Sequence, residues 1–465
     1  MTTRRALTSQ EVVERALELS RTDGCVVLVD DGSSANLRWA ANNLTTNGVM
    51  RSRSVTVVAV DGAGTGAAAG VVSRSTVTAD GLEPLVRAAE RAARDNGPAE
   101  DARPLVPARA DDGWADPPGE TSIRAFAELA PALGDRFGVA AAGDRLLYGF
   151  VQHAVTTTYL GSSEGLRLRH EQPSGFIGMT GKSRDLSRSS WVGRHSRDMT
   201  DVDVTELDAE LARRLGWARR TVDLPAGRYD TVLPPSAVAD IMVYAYWAMG
   251  ARDAHDGRTV YSRPGAGTRV GERLSRRPVT LSSDPAQPGL SCAPFVVAHS
   301  SSSHGSVFDN GLPLGPVTWV RDGELSALVQ TRHSADLTGL AVTPAVDNLT
   351  LEVQGATGTT DDLAAELGRG LLLTSLWYIR EVDPQTLLLT GLTRDGVYLV
   401  EGGEVVGAVN NFRFNESPVS LLDRVVAAGS TGPALGRSWG DYFPRTRMPP
   451  LRVADFAMSS VSRAS

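Results

Sequence analysis

After about Thr221 the chain is cut into short apolar runs by two-residue turns, and this punctuation leaves little choice of architecture. Leu387 to Leu389, Val397 to Val400 and Glu404 to Val409 are separated by Asp395-Gly396 and Gly402-Gly403, while Asp322-Gly323 parts Val317 to Val320 from Leu325 to Val329. Asp-Gly and Gly-Gly accept the positive φ angles of a type I′ turn, whose twist matches that of paired strands. Each therefore reads as an antiparallel hairpin. A large β-rich, barrel-like antiparallel domain is expected over residues 223–465, with helices inserted at Ala237 to Met249 and Asp361 to Leu373.

The first hundred residues have another texture. Thr8 can cap a helix while Glu11 answers it three residues later, and Val12, Val13, Ala16, Leu17 and Leu19 give that helix an apolar stripe. A second helix is expected near Asp80, with Asp80 and Glu83 as its capping box and Leu82, Leu85, Val86, Ala89, Ala92 and Ala93 as its buried face. Strand-like runs at Val26 to Val29, Leu37 to Ala41 and Val55 to Val60 complete an α/β layer domain over residues 1–100. From Pro98 to Pro118 five prolines and no periodicity mark a linker or long exposed loop. A central α/β domain over 115–222 follows, with a helix near Ile123 to Ala132, a strand near Leu146 to Leu160, and a closing helix from about Glu206. The fold class is thus α+β, with α/β layers ahead of the β-rich domain.

At 465 residues there is room for about three such units. Lys plus Arg number 47 against 54 Asp plus Glu, and the net charge of −7 argues against a nucleic-acid or anionic-membrane partner. No apolar stretch approaches the ~18 residues of a membrane span and no leader is expected, so we read a cytoplasmic protein. Cys25 and Cys292 cannot build a disulfide framework, and Cys25, inside an apolar run, reads as a buried thiol.

Most motif-like stretches have plainer readings. Gly161-Ser162-Ser163-Glu164-Gly165 satisfies G-x-S-x-G, but a nucleophile elbow turns from strand into helix, and Leu166-Arg167-Leu168-Arg169 alternates as a second strand would. It reads as a hairpin, not a hydrolase site at Ser163. Gly62-Ala63-Gly64-Thr65-Gly66 misplaces the third glycine of a dinucleotide loop, so a hairpin tip is expected. A zinc peptidase sets a Glu beside the first His to take the water's proton. The one His-Glu pair, His170-Glu171, runs into Gln172-Pro173-Ser174-Gly175, which offers neither a second His nor a helix. His299 and His304 share a Ser-rich loop and, with His333, leave an atypical metal site open. His255-Asp256 offers an acid/base pair, and Asp256-Gly257 equally a turn. Phe308-Asp309-Asn310-Gly311-Leu312-Pro313 is either a structural turn or part of a binding groove, which makes Asp309, Asn310 and Gly311 the candidate substrate-groove residues.

Taken in order, several segments resemble the TldD/PmbA family, also called TldD/TldE and historically labelled modulators of DNA gyrase. They are the turn Ser162-Ser163-Glu164-Gly165, the stretch Leu224-Pro225-Ala226-Gly227-Arg228-Tyr229 leading to Val232-Leu233-Pro234, Phe308 to Pro313, and Asn348-Leu349-Thr350-Leu351. The most specific are Thr393-Arg394-Asp395-Gly396-Val397-Tyr398-Leu399-Val400-Glu401-Gly402-Gly403-Glu404 and Asn411-Phe412-Arg413-Phe414.

The resemblance implies a two-member system, in which a TldD-type subunit carries zinc and a TldE- or PmbA-type subunit pairs with it to cleave small or unfolded peptides. Catalytic members hold His-Glu-x-x-x-His on the helix after the Tyr-x-x-Val-Leu-like stretch, with a further Cys ligand late in the chain. Here that helix is Ser236-Ala237-Val238-Ala239-Asp240-Ile241-Met242-Val243-Tyr244-Ala245-Tyr246-Trp247-Ala248-Met249, without His, Glu or Cys, and no Cys follows Cys292. Apolar nearly all round, with Asp240 its one charge, it belongs in a core, and Gly250 is expected to end it as a left-handed cap. The resemblance therefore implies a non-catalytic, TldE-like chain with no catalytic or metal-binding residues and no cofactor of its own. Zinc is expected in a TldD-like partner bearing His-Glu-x-x-x-His, with peptide as the substrate. An autonomous metallopeptidase with an atypical site and a homodimeric peptide-binding scaffold are the alternatives.

Overall fold

The computed structural model describes residues 7–462 apart from Thr76, Ala266 and Asp395. Strands β1 (Gly24–Ala40), β2 (Asn43–Asp61), β3 (Ala68–Ser75), β4 (Arg145–Ser162), β5 (Arg167–Ser183) and β6 (Ser189–Ser196) form one sheet in the order β3-β2-β1-β4-β5-β6. Every neighbouring pair is antiparallel. β1 and β2 turn at Ala41-Asn42, both at positive φ, and β1 pairs with β4 from Val26↔Ser162 to Trp39↔Gly149. Strands from residues 24–75 and 145–196 thus share one sheet.

Period-two alternation gives that sheet two faces. Helices α1 (Ser9–Leu19) and α2 (Ala79–Asn96) cover Cys25, Val27, Val29, Val55, Val57 and Tyr159 on one of them. Farther along, α3 (Leu129–Ala142) and α4 (Val204–Trp217) cover Leu37, Trp39, Val151, Ile177 and Met179. Gly70 lets α2 lie flat, since a Cβ there would meet the backbone oxygen of Ala89 at 2.1 Å. On the opposite face Val26, Leu28, Val58 and Leu160 pack against Phe295, Val307 and Phe308 of the second half, which joins the halves through an apolar core. The proline-rich stretch lies against the fold: Ala102 and Val106 are buried and the Arg167 N–H donates to the Arg109 carbonyl.

The Thr8–Glu11 capping box forms as expected. Thr8→Ala should therefore speed hydrogen exchange of the first-turn amides of α1 about fivefold, the equivalent of ~1 kcal/mol. The second helix is capped by Thr78, whose hydroxyl accepts from the Gly81 N–H, and not by the expected Asp80.

The second half contains a ten-stranded and a six-stranded sheet. From edge to edge the larger runs Trp377–Asp383, Leu388–Leu392, Phe412–Glu416, Leu451–Val461, Gly227–Leu233, Arg369–Leu373, Val397–Glu401, Glu404–Val409 and Thr221–Val222, with Val425–Ala428 also on Leu451–Val461. The expected barrel is absent. Both sheets stay open, and three pairings are parallel, including Gly227–Leu233 with Arg369–Leu373. The physical reason is helix α5 (Pro235–Trp247): its side chains share one core with Leu371 and Leu399 of the larger sheet and Leu281, Leu349 and Trp319 of the smaller. A helix between two sheets fills the space that closure would need.

Other expectations need correction. The helix expected over Asp361 to Leu373 is a helix only at Thr360–Ala365 and a strand at Arg369–Leu373. Gly368 and Gly370 break the helix, and Gly370 permits an approach that would place a Cβ 2.2 Å from the Asp230 carbonyl oxygen. The Gly402-Gly403 and Asp322-Gly323 hairpins form. Asp395-Gly396 makes none between its flanking strands, which pair elsewhere, and Asp395 lies outside the described residues. No helix among the described residues is long and apolar enough to cross a membrane.

Candidate functional site

Helix α5 begins at Pro235, where the missing N–H costs nothing, and buries Ala237 to Val243, Ala245 and Tyr246. It stops at Ala248. Gly250, expected to be a left-handed cap, is extended at φ −61° and instead leads into the short helix α6 (Ala251–His255). The buried Asp240 carboxylate faces the loop 436–439. Its Oδ2 accepts from the Arg437 N–H at 3.0 Å, and its Oδ1 from the N–H groups of Ser438 at 2.9 Å and Trp439 at 3.3 Å. The Trp439 indole N–H donates to the Asp240 carbonyl at 3.1 Å. Burial pushes the Asp240 carboxyl up to about 7, against the downward pull of those three amides.

This arrangement has a chemical consequence. A divalent cation is held by lone pairs, whereas Asp240 is ringed by N–H donors and lies near the Arg437 guanidinium. That guanidinium lies 5.0 Å from the ring centre of Trp377 and donates to the Ser375 hydroxyl at 2.7 Å. With neither His nor Cys on α5, the residues around this helix do not fit zinc.

Beside the last turn of α5 opens a cavity of about 460 Å³, lined by Trp247, Phe295, Val297, His304, Val346 and Tyr442 among others. Tyr246 braces its floor, donating to the Val346 carbonyl at 2.9 Å and accepting from its N–H at 2.8 Å. Trp247 stacks edge-on against Trp439 at 5.2 Å. The walls of the cavity are mostly apolar, with few polar groups among them.

The three predicted groove residues take different places. Asp309 lines the cavity, but Arg332 holds its carboxylate, with Nε to Oδ1 at 2.6 Å and the Arg332 N–H to Oδ2 at 3.1 Å. Asn310 is buried in the wall: its Oδ1 accepts from the Ala298 N–H at 2.7 Å and its Nδ2 donates to the Ala298 carbonyl at 2.9 Å. Gly311, at φ +83°, makes the turn, and a Cβ there would meet Leu166 at 2.5 Å. Sequence reasoning missed Trp247, Phe295 and Val297, whose only signal was apolarity.

The histidines go separate ways. His299 contacts Thr56 and Asp30 of the first sheet, at 3.2 and 3.4 Å. His304 sits over Gly250, and its Nδ1 lies 3.0 Å from the Ser303 hydroxyl. His333, on the short helix α7 (Arg332–Thr338), accepts from Arg252 at 3.1 Å. Among the described residues no three His, Cys, Asp or Glu side chains gather as a metal ion would require. His170 pairs with Gln172 on β5, and Asp256 is tied to Arg252 rather than to its neighbour His255. Gly161 to Gly165 is the β4–β5 hairpin, where the Ser163 hydroxyl accepts from the Cys25 N–H. Cys25 and Cys292 are buried free thiols, both pushed up to about 11 by burial.

A helix enclosed by two open sheets, behind an antiparallel sheet backed by helices, is a recognisable architecture. Residues 226–460, just over half the chain, match the PmbA/TldA metallopeptidase C-terminal domain, and the chain belongs to the PmbA/TldD metallopeptidase family. Its fold is TldE-like: TldE from Thermococcus kodakarensis superposes with a TM-score of 0.75 at 15% identity, over 96% of this chain and 98% of that one. Two proteins described as candidate modulators of DNA gyrase also match at a TM-score of 0.75. The Thermotoga maritima protein is 16% identical over 97% of this chain and 100% of its own, and the Bacteroides thetaiotaomicron protein 15% over 97% and 99%. No curated protein matches the sequence.

Proposed function

We propose that this chain is the non-catalytic, TldE-type subunit of a cytoplasmic two-chain zinc peptidase, pairing with a TldD-like homologue that carries His-Glu-x-x-x-His to cleave small or unfolded peptides. One observation carries the reading. The helix on which catalytic relatives are expected to hold their metal has no His, Glu or Cys here, and its one carboxylate is committed to three backbone amides. Nothing on it can take a proton from a metal-bound water. Family membership and the likeness to TldE support the same assignment. In this reading zinc belongs to the partner, and this chain contributes a wall of the peptide chamber that includes Asp309, Asn310 and Gly311.

Co-expression with such a homologue tests it. The two chains should co-elute at micromolar concentration, and the pair should cleave an unfolded peptide in a chelator-sensitive way, while this chain alone should neither cleave nor retain stoichiometric zinc. Separate elution overturns the pairing. Chelator-sensitive turnover by the isolated chain overturns the non-catalytic role.

A further inference from the structure

The segment from α6 to Val279–Ser283, a strand of the smaller sheet, concentrates positive charge in an otherwise acidic chain. From Gly257 to Pro278 it carries six arginines and one acidic residue, Glu272, whereas the whole sequence has a net charge of −7. The fold anchors these guanidiniums one by one. Glu272 is shared, its Oε1 accepting from the Arg263 Nε at 3.0 Å and its Oε2 from the Arg269 Nε at 2.9 Å. Arg276 donates to Asp423 at 3.1 Å. Arg273 and Arg277 meet no carboxylate among the described residues. Arg273 donates to the carbonyls of Asp322 at 3.0 Å and Ser275 at 3.2 Å, and Arg277 to those of Val425 at 3.0 Å and Val426 at 2.6 Å. Neutral carbonyls hold an arginine in place but leave its charge uncompensated.

A cavity of about 880 Å³ opens onto Arg269, Arg273 and Arg276, and onto Arg424, which pairs with Glu416. The carboxylate lining it, Asp423, is already engaged by the Nε and the backbone N–H of Arg276. Both Nη groups of Arg276, whose side chain is 81% exposed, are thus left for a ligand. The two carbonyl bonds of Arg273 both use Nη1, which leaves its Nε and Nη2. Guanidinium N–H pairs of this kind match the oxygens of a phosphoryl group two at a time. The charge they face has to be dense, because a single carboxylate would offset one arginine of the cluster while a chain of phosphoryl groups offsets several. No aromatic ring lines the cavity among the described residues, so a nucleobase would find nothing to stack on.

We propose that this cavity binds an oligophosphate chain, with Arg273 and Arg276 each holding a separate phosphoryl group and Arg269 adding charge. The cavity shares no lining residue with the one beside α5, and the binding rests neither on a partner chain nor on peptidase chemistry.

The test is isothermal titration of the full-length chain with sodium tripolyphosphate at about 50 mM salt. A Kd below about 100 μM is expected, weakening at least about fivefold at about 500 mM salt because these guanidiniums face solvent. Arg273→Gln/Arg276→Gln should weaken binding at least about tenfold. Arg273→Lys, which keeps the charge and loses the planar fork, should fall between that variant and the wild type, and it keeps the test decisive if the double variant folds poorly. Arg51→Gln, on the first sheet, should bind within about twofold of the wild type, which separates a site from diffuse attraction. ATP should bind within about threefold of tripolyphosphate, and orthophosphate at least about tenfold more weakly. No heat with tripolyphosphate at about 1 mM, or an equal loss in Arg51→Gln, overturns the proposal. So does orthophosphate binding as tightly as the chain, or ATP binding more than about tenfold tighter, since either would assign the site to another ligand class.

Discussion

Asp240→Ala should destabilise the chain by about 3–5 kcal/mol, because it strands three buried backbone N–H groups together and releases the loop they belong to. Those amides, of Arg437, Ser438 and Trp439, lie almost two hundred residues from α5 in sequence and have this carboxylate as their acceptor. The loss should appear as a lower thermal midpoint and as faster hydrogen exchange at residues 437–439. Asp240→Asn keeps one acceptor oxygen but turns an NH2 group toward one or more of the amides, so it should cost less than alanine and more than a surface change. The pH dependence has a definite sign. Burial lifts the folded-state carboxyl from its ordinary 3.8 to about 7, so between those values the folded chain binds a proton that the unfolded chain has lost. Stability from this group therefore falls as pH rises from about 4 to about 7 and is flat above. The midpoint of the wild type relative to Asp240→Asn should drop across that window. A difference constant from pH 4 to 8 would mean that the carboxyl is ionised throughout, with its amide cage outweighing its burial.

The features legible in the sequence were those fixed by neighbours in the chain. Thr8 and Glu11 are three residues apart, Gly402-Gly403 and Asp322-Gly323 set their own turns, and Leu207, Leu211 and Leu215 mark one face of α4 without help from the rest of the fold. Where pairing is distant, local signals misled. Asp395-Gly396 has good turn chemistry, yet Leu388–Leu392 is claimed by Phe412–Glu416 and Val397–Glu401 by Arg369–Leu373, so no hairpin spans it. The open sheets were hidden for a related reason: hairpin periodicity predicts pairing but not that α5 will lodge between two layers and hold them apart. The site divides in the same way. The charge and burial of α5 could be read directly, and Asp309 was picked out by its turn. Its partner Arg332 and the amides that cage Asp240 depend on segments brought together only by the fold.

Arg332 ties the groove together more than any residue of the turn itself. Its Nε and backbone N–H go to Asp309, its Nη1 donates to the Pro104 carbonyl at 2.9 Å, and its Nη2 donates to the Phe308 carbonyl at 2.5 Å. One guanidinium thus joins the start of α7, the wall of the cavity and the proline-rich stretch. Arg332→Met, which keeps much of the side-chain volume, leaves the Asp309 carboxylate buried with only a backbone N–H. Removing one partner of a buried pair costs about 3–5 kcal/mol; because Arg332 is 23% exposed on its side chain, the lower end of that range is expected. The double variant Asp309→Asn/Arg332→Met removes the stranded charge and should recover about 1 kcal/mol or more relative to Arg332→Met alone. Strictly additive losses would show that the two side chains act independently, and that Asp309 is held by the turn rather than by its ion pair. The same comparison separates global stability from the order of the wall. If Arg332 acts by fixing the wall, the double variant should regain midpoint temperature while hydrogen exchange at 307–309 stays fast, because the contacts from the guanidinium to the Pro104 and Phe308 carbonyls are still missing.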